Sequence, residues 1–136
     1  MSQLTLKIVT PEGNAYSDQV NYVTLPGQEG ELGIFPKHVP LMTRLKAGEV
    51  HVRKENEEVY LAIGEGFAEI TSEQVAILTD SALTEAEIDE DAVEKAIARA
   101  KEALSEKLSS EEIATTEALI SRSLAQLKLK RRRRGG

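Results

Sequence analysis

Residues 25–48, LPGQEGELGIFPKHVPLMTRLKAG, hold four Gly and three Pro in 24 positions, interleaved with Leu32, Ile34, Phe35, Val39, Leu41 and Met42. A regular helix or strand does not tolerate that density of Gly and Pro, because Gly loses the most backbone freedom on ordering and Pro lacks an N–H. A flexible linker would not carry so many core-type side chains. The segment therefore reads as a run of tightly specified turns whose apolar residues pack against a core. Gly27, Gly30 and Gly33 have a spacing that suggests phosphate cradling, but no helix follows them, so they read as turn formers. Glu29 and Glu31, two apart, would share one side of a strand and read as an exposed acidic edge.

On either side of this stretch the hydrophobic period is two. Leu4, Leu6 and Ile8 alternate with Thr5 and Lys7; Val50 and Val52 with His51 and Arg53; Val59, Leu61 and Ile63 with Tyr60 and Ala62; Val75 and Ile77 continue the pattern. Such alternation marks strands buried on one face. Turn signals separate the runs at Pro11–Asn14, Ala47–Gly48, Glu55–Glu57, Gly64–Gly66 and Ser72–Glu73. Short, closely spaced strands with no intervening helix predict an antiparallel β-sandwich or flattened barrel over residues 1–84.

After Ser81, Gly and Pro are absent until Gly135 and Gly136, and the period becomes helical. Ala92, Val93, Ala96, Ile97, Ala100, Ala103 and Leu104 fall on one stripe about 140° wide. Asp89 is positioned as its N-cap. Ser109–Glu112 has capping-box spacing and starts a second helix whose ridge is Ile113, Ile120, Leu124 and Leu127. Residues 85–136 are thus expected to form a two-helix hairpin. Its alanine-rich contact buries little area, so the hairpin is either a moving part or a rigid pair on the sandwich.

The 136-residue chain has no Cys, which excludes disulfides and thiol chemistry, and a net charge of −6. That charge is polarised. Lys128, Lys130, Arg131, Arg132, Arg133 and Arg134 hold six of the 17 basic residues with no acid among them, leaving 11 against 23 acidic residues, a net of −12, in the preceding 127 positions. A basic tip on an acidic body reads as a contact for an acidic partner or as a solvated tail. Nucleic acid is not the expected partner, because no stacking aromatics accompany the charges and the acidic body repels phosphates. No run approaches the 18 or so apolar residues of a membrane span. His38 and His51 are the only histidines. No zinc site, nucleophile elbow or phosphate-binding Gly-rich loop is recognisable, so neither a metal nor a catalytic centre is expected.

Taken together, Leu25-Pro26-Gly27, Gly30-Glu31-Leu32-Gly33-Ile34, Pro36-x-His38-x-Pro40-Leu41-x-Thr43, Leu45, Gly48 and Gly64-Glu65-Gly66-Phe67-Ala68-Glu69-Ile70 resemble the epsilon subunit family of F-type ATP synthases, called delta in mitochondria. The opening Leu4–Pro11 and the two-helix end fit as well, so the likeness covers nearly the whole chain. The resemblance implies a sandwich of about ten strands followed by a helical hairpin, and a non-catalytic place in the rotating central stalk. It implies that Glu29, Gly30 and Glu31 contact the ring of c subunits, and that His38, Pro40 and Thr43 lie towards the gamma subunit. It further implies that the hairpin either folds down on the sandwich or extends along gamma. When extended, its basic end, Lys128 to Arg134, meets the beta subunit beside alpha and blocks hydrolysis. A second helix spanning 111–131 would be roughly 31 Å long, enough to carry that charge away from the sandwich. The resemblance places the chain peripherally, on the cytoplasmic face of a bacterial inner membrane or the stromal face of a thylakoid, with membrane association through the complex.

One departure bears on nucleotide. Many bacterial relatives carry I/L-D-x-x-R-A at the first helix, with an arginine that helps bind ATP; here the stretch is Ile88-Asp89-Glu90-Asp91-Ala92. Asp89 and Arg122 match the family's ATP site, but Ala92 stands at the arginine and Gln126 is uncharged. ATP binding is expected to be absent or weak, and no cofactor is expected. The alternative function is an ATP-sensing module whose hairpin closes on nucleotide.

Overall fold

The computed structural model describes residues 3–135, with side chains through Arg133. The strands are β1 (Leu4–Thr10), β2 (Gly13–Val20), β3 (Tyr22–Gly27), β4 (Gly30–Ile34), β5 (Leu41–Leu45), β6 (Gly48–Lys54), β7 (Glu57–Ile63), β8 (Gly66–Ile70), β9 (Gln74–Thr79) and β10 (Ala82–Thr84). They hydrogen-bond in the order β10-β7-β6-β3-β5-β8-β9-β1-β2, with β4 along the other edge of β3. Among the described residues β3 joins β5 through the Gly27–Leu45 pair. The sheet folds over at that narrow link, and its two layers enclose one core.

The inward positions are those given by the two-residue period. Leu4, Leu6, Ile8, Val50, Val52, Leu61, Ile63, Val75 and Ile77 are all buried in this core with Val23, Leu25, Ile34 and Leu45. Lys54 of β6 and Asp18 of β2 pair at 2.5 Å, linking strands far apart in the order. One pairing departs from the antiparallel expectation: β1 and β9 run parallel, with Leu6 opposite Val75 and Ile8 opposite Ile77. A parallel pair needs a long return of the chain, and here seven intervening strands supply it in place of a crossover helix.

A second departure concerns residues 35–42. Ile34 is buried and Leu32 packs on the core. Phe35, Val39 and Met42, in contrast, are 63%, 71% and 67% exposed, and Leu41 is exposed as well. The turns are held mainly by backbone contacts, such as the Lys37 N–H donating to the Ser72 carbonyl at 2.8 Å. Lys37 itself has φ 68°, in the left-handed region. These apolar side chains are therefore left free to face outward.

A 3-10 turn at Glu85–Glu87 leads to helices α1 (Glu90–Leu104) and α2 (Ser110–Gly135). Asp89 caps α1, its carboxylate accepting from the Ala92 N–H at 3.2 Å. The expected capping box closes both ways: Ser109 N–H donates to Glu112 Oε1 at 2.9 Å, and Glu112 N–H to Ser109 Oγ at 3.1 Å. Val93, Ile97 and Ala100 of the predicted α1 stripe are buried. The predicted α2 ridge is only partly right. Leu127 is buried, but Ile113 and Leu124 are exposed, while Ser123, Gln126 and Leu129 are inside. The reason is that α2 meets α1 on one side and β7 and β6 of the sandwich on the other, so its buried face follows two neighbours rather than one.

The hairpin lies folded on the sandwich. Ala62 of β7, Ile88, Val93, Ile97, Leu127 and Leu129 form a second, smaller buried cluster with Tyr60 and Leu83 against it. Leu129 is fully buried there. Replacing it with Ala is expected to remove about 2–5 kcal/mol. Because the loss falls on a thin interface, amide exchange should accelerate in α1 and α2 while strand amides stay protected; a uniform change across both parts would contradict this packing.

Candidate functional site

The β3–β4 turn projects Glu29, Gly30 and Glu31, all exposed. Its shape depends on two glycines. Gly30 has φ +139°, which L side chains rarely adopt, and a Cβ on Gly27 would come 2.5 Å from the Gly30 carbonyl oxygen. The base of the turn is pinned by Gln28 N–H donating to the Arg44 carbonyl at 3.1 Å and Lys46 N–H to the Pro26 carbonyl at 3.0 Å. Two carboxylates thus stand on a stiff hairpin that loses little freedom on docking.

A second surface is apolar. Arg44 and Leu78 flank Phe67 across β5, β8 and β9. Met42 is two residues along β5, so these side chains share the outer face of the sheet. Phe67 and Leu78 are exposed along with Met42, and the Arg44 guanidinium lies 5.4 Å from the centre of the Phe67 ring. The 35–40 segment leads into β5. Phe35 rests on Tyr22 with ring centres 4.3 Å apart, and His38 Nδ1 donates to the Val39 carbonyl at 2.6 Å. Pro40 is exposed, whereas His38 and Thr43 are half-buried. The family resemblance points to His38, Pro40 and Thr43; Pro40 and the apolar Phe35, Val39, Leu41 and Met42 are the more exposed residues of this segment.

The basic tip is not free. Arg131 bonds Glu90 at 3.0 Å and also pairs with Glu94, both on α1. Arg132 pairs with Glu49 at the start of β6. Arg132 and Arg133 lie over the Tyr60 ring, 5.5 and 4.2 Å from its centre. Lys130 lies 3.7 Å from the Glu85 carboxylate and donates to its backbone carbonyl at 3.2 Å. His51 Nε2 approaches Glu49 at 3.1 Å and its ring sits edge-on to Tyr60, 4.8 Å between centres. Lys128 is exposed and borders an open cleft of about 600 Å³ between α2 and the turns carrying Glu31, Lys46 and Glu65. The Arg134 side chain lies outside the described residues.

These contacts set the charge states. Burial pushes the Glu49 carboxyl up, but the hydrogen bonds from His51 and Arg132 outweigh it and hold the group below its ordinary value. The Glu90 and Glu94 bonds hold Arg131 still further above its ordinary range. Glu49, Tyr60, Glu90 and Glu94 carried little sequence signal. Glu90 and Glu94 are like charges at i,i+4, a mildly destabilising spacing that calls for a cation between them; nothing marks Glu49 or Tyr60.

Asp89 and Arg122 have separate partners. Asp89 caps α1. Arg122 is 3.9 Å from Asp80, after β9, and borders a cleft of about 370 Å³ with Glu12 and Asn14, where Asp89 takes no part. Among the described residues no group of three His, Asp or Glu is arranged to hold a metal, and no helix is long and apolar enough to cross a membrane.

A family model described as "ATP synthase, Delta/Epsilon chain, beta-sandwich domain" matches residues 3–85. "ATP synthase epsilon chain 2" of Ralstonia nicotianae is 40% identical, over 98% of this chain and all of that one. "ATP synthase epsilon chain" of Dehalococcoides mccartyi is 39% identical over 98% and 96%. The chain belongs to the ATP synthase delta/epsilon family. In shape it is similar to a chain of the Euglena gracilis mitochondrial ATP synthase, solved as OSCP/F1/c-ring, with TM-score 0.73 and 23% identity over 92% of this chain and 79% of that one. A chain from the Tetrahymena thermophila mitochondrial enzyme, solved as central stalk and c-ring, gives TM-score 0.61 at 14% identity over 93% and 96%.

The depressed Glu49 carboxyl predicts a pH dependence. Its contribution is complete above the ordinary glutamate value of 4.5 and is lost as pH falls through the lowered folded value. Amide exchange in the last turns of α2 should therefore rise in that acid window, and Glu49→Gln should remove that part of the dependence. A profile unchanged by Glu49→Gln would show that other carboxylates set it.

Proposed function

We propose that this chain is a non-catalytic rotor subunit in the central stalk of an F-type ATP synthase, coupling ion flow to ATP synthesis and restraining hydrolysis through its C-terminal helices. The observation that carries the reading is the apolar outer face of Met42, Phe67 and Leu78. Contiguous exposed apolar residues mark an interaction site, and family membership points to the gamma subunit as what covers this one. His38, Pro40 and Thr43 lie in the segment leading into that face. The stiff acidic turn of Glu29, Gly30 and Glu31 suits the polar loops of the c ring. The chain then reaches the membrane only through the complex, on the cytoplasmic face of a bacterial inner membrane or its stromal equivalent.

In the inhibitory state, the hairpin leaves the sandwich, and Lys128, Lys130 and Arg131 to Arg134 meet an acidic surface on the beta subunit next to alpha. At 26 residues, α2 spans about 39 Å at 1.5 Å per residue, long enough for that reach. Two changes test the separate surfaces in the assembled enzyme. Met42→Glu should weaken binding of gamma at least tenfold by calorimetry without unfolding the chain. Deleting residues 128–136 should raise ATP hydrolysis and leave assembly intact. Unchanged gamma affinity would remove the docking assignment, and unchanged hydrolysis the inhibitory one.

Nucleotide has no part in this reading. Ala92 stands where relatives place an arginine, Asp89 is occupied as a cap and Arg122 has Asp80 beside it. Calorimetry of the isolated chain should detect no submillimolar ATP binding; such binding would revive the ATP-sensing alternative.

A further inference from the structure

The basic tip occupies a built receptor on its own chain. Its floor is the Tyr60 ring, held edge-on by His51, with Arg133 and Arg132 over it. Its walls are carboxylates from three places in the sequence: Glu49 on β6, Glu85 in the 3-10 turn, and Glu90 with Glu94 on α1. The side chains of Glu49 and Glu90 are only 17% and 18% exposed, so neither is a freely solvated surface charge. Guanidinium groups suit this chemistry, because a flat, delocalised cation can pair with a carboxylate at its edge and lie on an aromatic ring with its face. With α2 lifted away, Glu49 would keep only His51 from this group.

We propose that Glu49, Tyr60, Glu90 and Glu94 form an arginine-binding cradle that latches α2 down, Arg131 against α1 and Arg132 and Arg133 against the sandwich, holding the same cations that must be freed before the tip can inhibit. This rests on the inhibitory reading above and adds its regulation. One set of charges serves two exclusive contacts, so the strength of the cradle sets how often the tip is released. The apolar cluster around Leu129 supplies adhesion without regard to charge, whereas the cradle makes release dependent on salt. Pairs this close to the surface weaken as the screening length shrinks.

The absence of Cys makes the test direct. Ala47, in the β5–β6 turn, and Ser121, on α2, line the same cleft. Spin labels on Ala47→Cys and Ser121→Cys in the full chain report the hairpin's position. Two matched triples are compared in that background: E49Q/E90Q/E94Q and R131Q/R132Q/R133Q. Each should raise the ratio of open to closed hairpin about tenfold, about 1.4 kcal/mol, and flatten its rise with salt. Retained binding of gamma separates release from unfolding. If either triple leaves the distance distribution and its salt dependence unchanged, the cradle is not a latch.

In the assembled enzyme the two triples should diverge. Opening the cradle with the tip intact should deepen inhibition of hydrolysis, whereas neutralising the arginines should relieve it. If both triples open the hairpin and neither alters hydrolysis, the latch stands and the inhibitory role of the tip falls.

Discussion

The hairpin is held to the sandwich by a small buried cluster in which Leu127 and Leu129 of α2 meet Ala62 of β7 and Ile88, Val93 and Ile97 of the α1 side. That contact decides the rest. It aligns α2 along β7, brings the arginines to Tyr60 and Glu49, and places Arg131 between Glu90 and Glu94. It is much smaller than the sandwich core, which draws on both layers. Burial energy follows apolar area, so loss of the smaller contact leaves the larger sandwich core in place. A thin apolar contact edged by ion pairs is a suitable basis for two packings of similar free energy.

The rigid parts serve the opposite purpose. The Gly27–Gly30 turn and the backbone bonds at its base keep Glu29 and Glu31 in one position. The outer face of β5, β8 and β9 is likewise fixed by sheet register. The proposed docking surfaces need to be unyielding, whereas the proposed inhibitory tip needs to be released. In this chain the two demands fall on different secondary structure: turns and strands for one, an alanine-rich hairpin for the other.

Much of this was legible before any coordinates. Leu4, Leu6 and Ile8, or Val50 and Val52, announce their inward faces because a strand alternates strictly. Asp89 and the Ser109–Glu112 pair announce helix starts because a cap needs only a local side chain and the nearby N–H groups. The apolar residues of 35–42 misled, because a hydrophobic side chain in a structured loop has the same composition whether it faces the core or a partner. The α2 ridge misled for a related reason: a helix with two neighbours buries residues that a single-stripe reading leaves outside, as Gln126 and Ser123 show.

The acidic turn of Glu29 and Glu31 and the basic run were visible as residue types at fixed spacing. The receptor for that run was not, since Glu49, Tyr60, Glu90 and Glu94 lie about 40 to 80 positions from the arginines and meet them only when the hairpin folds back. The sequence by itself determined the periods, the caps, the turns and the polarised charge, because each depends on neighbours a few residues away. Tertiary structure alone decided the parallel closure of β1 on β9, the outward direction of Met42 and Phe67, and the site where the arginines rest. Those features depend on which distant surfaces come together, and no local preference encodes that meeting.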